Sequence, residues 1–249
     1  DAKGRWRWAA VTRPASQKVQ GVLLSGMVAS EDPLRDYALY LPLYNGVEKL
    51  EIGVPRSAEF RPVAPRREGA ILFYGTSIMH GACASRPGMS ISAIVGRRLG
   101  RPVINLGFSG NGKLEMELAK LIATVPADVY ALDCLPNLGP GDVKARTEPF
   151  VHYLRQQRPQ AHILLVEDRT YGDSWIREAR RARNEGNRRE FRAAYERLVK
   201  AGVERLHYLS GDTLLGDDGE ATTDGSHPND LGMMRYADAY CRVLEPLLS

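Results

Sequence analysis

From residue 70 onward, short apolar runs alternate with longer segments whose apolar residues repeat at helical spacing. The runs are AILFYG, PVINLG, DVYALD, HILLVE and RLHYL, which begin at residues 70, 102, 128, 162 and 205. The helical pattern covers about 89–99, 113–124, 143–157, 187–201 and 228–248. Strands that alternate with helices of this length are typical of a parallel, doubly wound sheet. The pattern therefore predicts an α/β domain with about five strands, in which ligands collect at the carboxyl ends of the strands.

The first 65 residues have a different pattern. WRWAAV, GVLLSGMV, DYALYLPLY and VEKLEIGVP are short runs rich in aromatic and aliphatic residues, and Pro, Gly, Asn and Asp separate them. Such runs predict a small antiparallel β region. The segment RPVAPRREG, at 61–69, has two prolines and four charged residues and is expected to be the linker that ends it.

Composition and charge narrow the possible partners. Apolar residues make up 43% of the chain, yet no apolar run is long enough for a membrane-spanning helix. The net charge of +4 is concentrated at 177–192, where seven Arg face three Glu. A solvated helix face is the favoured interpretation, and attraction of an anionic ligand is the alternative. Because no aromatic residues suitable for stacking on bases are interleaved there, we expect no nucleic-acid partner. The sequence does not determine the oligomeric state.

The three cysteines, Cys83, Cys134 and Cys241, lack the spacing of metal ligands, so no metal site is predicted. Reduced thiols favour a reducing compartment such as the cytoplasm. The chain begins DAKGRWRW, without Met and without a visible signal peptide, and an earlier cleavage of such a peptide stays open.

Candidate chemistry follows the predicted strands in a fixed order. The segments are YGTSIMHG with Ser77, NLGFSGNG with Gly110, DCLPN with Asn137, and DGSHPND with Asp224 and His227. Each segment alone is an ordinary turn. Together they supply a hydroxyl nucleophile, a base with an orienting acid, and N–H donors for an oxyanion, which is what acyl transfer requires.

These four segments resemble the SGNH (GDSL-type) hydrolase superfamily, and in particular the branch with the block YGTSIMHGACASRPGM. The resemblance extends from about residue 69 to residue 248, and it implies the flavodoxin-like SGNH fold. It also implies that Ser77 is the nucleophile, that His227 is the base and that Asp224 orients it. The implied oxyanion hole is made by the backbone N–H groups of Ser77 and Gly110 and by the side chain of Asn137, with no metal or organic cofactor. Thr76 stands where many members of the superfamily carry Asp, which leaves the nucleophile in place.

The first 65 residues resemble the end of the small β-sandwich domain named for its GxDLY motif, which often precedes this branch. In that domain DLY comes shortly before a segment like DAKGRWRW. We therefore expect a partial accessory domain at 1–65 and a catalytic domain at 66–249, and we hypothesise that the first half of the accessory domain is missing from this sequence.

Other histidines and cysteines are weaker candidates for the base or the nucleophile. His80 follows Ser77 by three residues and would be poorly aimed at its hydroxyl, so we expect it to line a pocket or to be structural. The histidines in helix or strand patterns are expected to be packing or surface residues: His152, His162 and His207. Cys83 and Cys134 lie near the predicted site but have no base partner in the sequence, and we interpret them as small apolar fillers.

The substrate is less well defined by the sequence. The polar segment 167–190 is expected to act as a lid or pocket rim in which Tyr171 and Trp175 face the substrate, with a solvated loop as the alternative. No broad apolar stripe suggests a lipase surface, so the favoured function is a serine esterase for short acyl esters, such as acetyl groups on carbohydrate or a related metabolite.

An acyltransferase would use the same acyl-enzyme. A noncatalytic carbohydrate-binding protein is disfavoured by the intact set of site residues, and a nucleotide binder by the lack of the GxxxxGK[ST] spacing in SGNGK.

Overall fold

The computed structural model describes residues 4–27, 34–66 and 68–248. These residues form two compact units, a smaller one within 1–41 and 47–65 and a larger one within 42–46 and 66–249. The prediction that these regions are an accessory and a catalytic domain stays a prediction.

The larger unit is built on a five-stranded parallel sheet with the order β2-β1-β3-β4-β5. The strands are β1 (Ile71–Gly75), β2 (Val103–Gly107), β3 (Val129–Asp133), β4 (His162–Val166) and β5 (Leu206–Leu209). This is the strand order of the flavodoxin-like fold, and the predicted fold class of this region is confirmed. The register places Gly75 beside Gly107 on one side and Asp133 on the other. The segments that follow β1, β2 and β3 therefore start at the same edge of the sheet.

Six helices connect and cover the strands in the described part of the larger unit. They are α1 (Ser77–His80), α2 (Ile91–Leu99), α3 (Met116–Ile122), α4 (Pro140–Gln157), α5 (Glu178–Lys200) and α6 (Asp230–Leu248). Side chains of the buried strands alternate between two apolar cores. Ile71 and Phe73 belong to the core covered by α2 and α6, whereas Leu72 and Tyr74 belong to the core covered by α3, α4 and α5. None of the helices described is long and apolar enough to cross a membrane.

Helix α5 begins nine residues earlier than the sequence pattern predicts, at Glu178 instead of about 187. Its first turns have polar or small residues on the buried side, namely Asn184, Gly186 and Asn187. A Cβ atom on Gly186 would lie 2.7 Å from Cγ of Pro140, so the glycine allows α5 to approach the start of α4 closely. Because this inner face is not apolar, the hydrophobic period that marks a helix is absent there. The polar loop expected at 167–190 therefore ends at residue 177, directly before α5 begins.

The smaller unit differs from the antiparallel β-structure predicted for it. Its described residues contain no strand and follow an irregular backbone. Aliphatic side chains there remain in solvent, with Val22 82% and Val63 69% exposed. β-branched and aromatic residues favour strands because they pack on a pleated, half-buried surface. The described aliphatic side chains of the smaller unit have no such half-buried surface to pack on. The pattern of short apolar runs is therefore not sufficient to form a paired sheet.

Candidate active site

Ser77 is the first residue of α1, and only Thr76 separates it from the end of β1. The hydroxyl of Thr76 caps this short helix by accepting a hydrogen bond from the N–H of Ile78 at 3.3 Å. Glycines let α1 lie tightly against the strand ends, because a Cβ atom on Gly107 would lie 2.1 Å from the backbone nitrogen of His80. The tight turn predicted around Ser77 is thus a strand-to-helix junction that presents the serine at the carboxyl edge of the sheet.

Ser77, His227 and Asp224 form a continuous hydrogen-bonded series, although 150 residues separate the first two in the sequence. The Oγ atom of Ser77 lies 2.9 Å from Nε2 of His227, and Nδ1 of the same ring lies 2.7 Å from Oδ2 of Asp224. The first distance suits proton transfer from the hydroxyl to the imidazole, and the second suits a carboxylate that fixes the imidazole tautomer.

The turn that carries Asp224 and His227 is closed by its own hydrogen bonds. Oδ1 of Asp224 accepts from the backbone N–H of Ser226 at 2.9 Å and from that of His227 at 2.7 Å. The N–H of Thr223 donates to the carbonyl oxygen of His227 at 2.9 Å. Gly225 has φ +80°, a conformation that favours glycine. The short spacing of acid and histidine thus follows from a compact turn in which the carboxylate binds both backbone and ring.

Asp224 is held in its ionised form. Partial burial raises the pKa of its carboxyl, but hydrogen bonds from the backbone and ring of His227 and from the backbone of Ser226 outweigh that effect and lower the pKa to about 2. The carboxylate is therefore negative at neutral pH and favours a protonated Nδ1 on His227, which leaves Nε2 to accept a proton from Ser77.

The predicted oxyanion donors other than Ser77 lie on the loops after β2 and β3, which contact each other. The loop after β2 passes close to the end of β1, since a Cβ atom on Gly112 would lie 2.2 Å from the carbonyl oxygen of Gly75. The backbone of Gly110 is also in the left-handed region, with φ +73°. The side-chain amide of Asn137, at the end of a 3₁₀ turn after β3, donates to the carbonyl oxygen of Asn111. That bond uses one of the two amide hydrogens and orients the amide, and the second hydrogen makes no hydrogen bond within the described residues.

The two residues expected to face the substrate lie in different environments. Tyr171 is only 9% exposed, its ring lies 4.0 Å from the guanidinium carbon of Arg169, and its hydroxyl accepts a hydrogen bond from Arg183. Trp175 is 77% exposed. The contacts of Tyr171 are those of a packing residue, and its role in substrate binding stays a prediction, as does that of Trp175.

Three other histidines have side-chain partners other than Ser77. The Nε2 atom of His80 is hydrogen-bonded to the carbonyl oxygen of Leu43, and its ring stacks on Tyr44 with the centroids 3.9 Å apart. His162 and His207 bond to each other at 2.8 Å near the amino ends of β4 and β5, which is the opposite end of the sheet.

Neither cysteine near the site contacts a base in the described structure. Cys134 is buried, and burial raises the pKa of its thiol well above the usual value, which makes it a poor nucleophile. Cys83 is exposed. No group of three or more His, Cys, Asp or Glu side chains within 4–27, 34–66 and 68–248 is arranged to hold a metal ion.

Arg169 was not predicted as a site residue, yet it binds the turn that carries Asp224 and His227. Its guanidinium donates to the carbonyl oxygen of Ser226 at 3.2 Å and also to the hydroxyl of Ser226. The available signal was the segment EDR directly after β4, because charged residues at the carboxyl edge of a parallel sheet lie close to the site.

Two family models match the chain. Residues 68–245 match the GDSL-like lipase/acylhydrolase family, and residues 1–60 match the N-terminus of SGNH-hydrolase-type esterases. No curated protein sequence matches.

Solved structures show the same fold. A protein described as a GDSL-like lipase from Bacteroides ovatus ATCC 8483 is 39% identical, with a TM-score of 0.80 over 84% of this chain and 62% of its own. A salicylyl-acyltransferase from a tetracycline biosynthetic pathway is 25% identical, with a TM-score of 0.65 over 74% of this chain and 56% of its own. The chain thus spans less than two thirds of either protein. A family two carbohydrate esterase from Clostridium thermocellum, in complex with cellohexaose, is 15% identical, with a TM-score of 0.56 over 75% of this chain and 68% of its own.

Proposed function

The chain belongs to the GDSL-like lipase/acylhydrolase family, and we propose that it is a serine esterase that hydrolyses short-chain acyl esters of a carbohydrate or related small metabolite. The observation that carries the proposal is the hydrogen-bonded series from Ser77 through His227 to Asp224. A serine hydroxyl is a weak nucleophile until a base within hydrogen-bonding distance takes its proton.

In the proposed reaction, Oγ of Ser77 attacks the ester carbonyl carbon while Nε2 of His227 takes the hydroxyl proton. The imidazolium that forms is stabilised by the carboxylate of Asp224. When the tetrahedral intermediate collapses, the bond to the alcohol oxygen breaks and His227 returns the proton to that oxygen. Water then attacks the acyl-enzyme with His227 again as the base, which releases the carboxylic acid and restores Ser77.

The oxyanion of each tetrahedral intermediate is stabilised by the backbone N–H groups of Ser77 and Gly110 and by the free amide hydrogen of Asn137. Support comes from the close approach of Gly112, in the loop after β2, to the end of β1 and from the bond that orients the Asn137 amide. Donors that are already in place before the reaction stabilise developing charge without reorganisation, and this is commonly the largest contribution to catalysis of acyl transfer.

The preference for a short acyl group and a saccharide alcohol rests on composition and on similarity. The chain lacks a broad apolar stripe of the kind that would suit a long acyl chain, and its fold is shared with a carbohydrate esterase. A polar rim accommodates a hydroxyl-rich alcohol better than a lipid.

The test is hydrolysis of p-nitrophenyl acetate, butyrate and octanoate by the wild type, by Ser77→Ala and by Ser57→Ala. Ser57 is an exposed serine of the smaller unit and serves as the matched control. We expect the highest kcat/KM with acetate, a loss on the order of 10⁶ in kcat for Ser77→Ala, and no loss for Ser57→Ala. Hydrolysis that survives the Ser77 substitution at the wild-type rate would refute the proposal.

An acyltransferase is the second candidate, because a salicylyl-acyltransferase shares the fold at 25% identity. Both activities proceed through the same acyl-enzyme and differ in whether water or another alcohol accepts the acyl group. Product analysis with acetyl ester and a large excess of cellobiose distinguishes them. Acetate as the main product supports the esterase, whereas acetylated cellobiose as the main product supports the transferase.

A further inference from the structure

The segment directly after β4 contains three consecutive charged residues that are almost completely buried. Glu167 is 3% exposed, and Asp168 and Arg169 are both 0% exposed. Fully buried charged side chains are rare unless they are paired, because removing an ion from water costs several kcal/mol. The burial of three charged residues at the carboxyl edge of the sheet must therefore be offset by specific bonds.

The guanidinium of Arg169 joins this buried cluster to the turn that carries the candidate base. One end nitrogen, Nη1, donates to Oδ1 of Asp168. Nε and Nη2 donate to the carbonyl oxygen and to the hydroxyl of Ser226, which lies between Asp224 and His227 in the chain. A single rigid fork thus binds the middle of the turn through both its backbone and its side chain.

The other end of the cluster is anchored in α5. The side-chain amide of Asn184 donates to Oδ2 of Asp168 at 2.9 Å and to the carbonyl oxygen of Arg169 at 3.0 Å. Asp168 is thereby held on one side by Asn184 and on the other by Arg169. The result is a hydrogen-bonded path from α5 through two buried side chains to Ser226.

The turn of Asp224 and His227 needs such an anchor because it is exposed and because Gly225, within it, restricts the backbone little. The side chain of Asp224 is 51% exposed. Apart from Arg169, one backbone bond ties the turn to the segment after β4, from the N–H of Gly172 to the carbonyl oxygen of Gly225 at 2.8 Å. A small rotation of the turn would move the His227 ring away from Ser77, and a displacement of about 1 Å is enough to cost on the order of 10² in rate.

We propose that Arg169 is a positioning residue: through its two bonds to Ser226 it fixes the turn so that Nε2 of His227 stays in contact with Oγ of Ser77. Arg169 does not touch the substrate or the reacting atoms. The inference rests on the proposed esterase function. It explains why an arginine stands here, because a lysine ammonium could keep the ion pair with Asp168 but could not reproduce the planar fork that binds both oxygens of Ser226.

The test compares Arg169→Lys, Ser226→Ala and the double variant in hydrolysis of p-nitrophenyl acetate. Active sites are counted by titration with a p-nitrophenyl alkylphosphonate, so that kcat is expressed per functional site and unfolded protein does not contribute. We expect kcat to fall about 10- to 100-fold for Arg169→Lys and severalfold for Ser226→Ala, with KM changed less than twofold. The double variant should be no slower than Arg169→Lys, since both changes break the same link.

Arg188→Lys is the matched control. Arg188 also binds the cluster, through the carbonyl oxygen of Asp168 at 2.8 Å, but does not bond to Ser226 in the described structure. We expect its kcat per titrated site to stay within twofold of the wild type. A similar loss per titrated site in Arg188→Lys would contradict the inference, because the loss would then not depend on a bond to Ser226.

Two further results would overturn the inference. One is an Arg169→Lys variant with wild-type kcat per titrated site. The other is an additive double variant, which would show that the two residues act separately. If Arg169→Lys does not fold, Ser226→Ala decides alone, because a kcat per site equal to that of the wild type contradicts the proposed link. Full activity of Ser77→Ala, by contrast, would refute the esterase mechanism itself.

Discussion

At the scale of single residues, the buried carboxyl of Asp133 at the end of β3 is the least expected group. Its Oδ2 atom accepts a hydrogen bond from the hydroxyl of Tyr240 at 2.9 Å, whereas Oδ1 has no hydrogen-bond partner among the described residues. Burial raises the pKa of this carboxyl to about 7, despite the opposing bond from Tyr240. The folded protein therefore holds a proton that the unfolded chain releases at a much lower pH.

This raised pKa predicts a pH-dependent stability. Stability from the protonated carboxyl is fully present below the unfolded pKa of 3.8 and is lost as the pH rises through about 7. Asp133→Asn removes the titrating carboxyl, so the variant does not lose this stability as the pH rises. The free energy of unfolding of the variant minus that of the wild type should therefore increase from pH 5 to pH 8. Urea denaturation at both pH values measures this difference.

Tyr240→Phe is the control for that experiment. It keeps the carboxyl of Asp133 and removes the hydroxyl that opposes the rise in pKa, so the loss of stability toward pH 8 should persist. If the difference between Asp133→Asn and the wild type is the same at pH 5 and pH 8, the carboxyl does not titrate in this range and the assignment is wrong.

At the scale of elements, the sequence predicts best where burial is apolar. All five strands were predictable because apolar residues dominate their runs and pack into the two cores, as Phe73 and Tyr74 do in β1. The start of α5 was not, because Asn184 and Asn187 face inward there. Arg169 was not predicted as a site residue for a related reason. A local sequence pattern does not show that an arginine is buried, nor which distant oxygen it binds.

The segment 42–46 is a second element that the pattern did not reveal. These five residues belong to the larger unit although both flanks belong to the smaller one. The ring of Tyr44 stacks on His80, its hydroxyl lies 3.5 Å from Oγ of Ser109 next to the candidate oxyanion loop, and it is 54% exposed. A fixed, exposed aromatic ring near the proposed oxyanion hole suits the apolar face of a sugar.

Tyr44→Ala is therefore expected to raise KM for acetylated cellobiose about three- to tenfold and to leave hydrolysis of ethyl acetate unchanged. Tyr44→Phe should behave like the wild type, because the ring supplies the contact. Tyr37→Ala serves as the control, since Tyr37 is equally exposed, at 55%, and belongs to the smaller unit. Equal effects on both substrates would argue against a saccharide contact at Tyr44.

At the scale of the whole molecule, the parallel topology explains why segments far apart in sequence meet. Strands β1, β2 and β3 end at one edge, and Ser77, Gly110 and Asn137 follow them in turn. The order of these segments could be predicted from the sequence. The contact between Ser77 and His227 was expected only from the family resemblance and not from the apolar pattern, because it depends on where α6 and the turn before it pack against the sheet.

The basic stretch at 177–192 also has a structural explanation at this scale. Arg183 donates to the carbonyl oxygens of Pro136 and Leu138, and Arg188 binds the carbonyl oxygen of Asp168 and the carboxylate of Asp212. These arginines tie α5 to the loops after β3, β4 and β5. Part of the positive charge thus stabilises the loops around the site, and the expectation of no nucleic-acid partner stays a prediction.

The central claim is that Ser77 forms the bond to the acyl group, and covalent labelling tests it most directly. The wild type is treated with a p-nitrophenyl alkylphosphonate, which leaves a stable adduct on a serine nucleophile, and peptides are then mapped by mass spectrometry. We expect one adduct, on the peptide that contains Ser77, formed in parallel with loss of hydrolysis and absent from Ser77→Ala. An adduct on another residue, or complete inactivation with Ser77 unmodified, would contradict the mechanism.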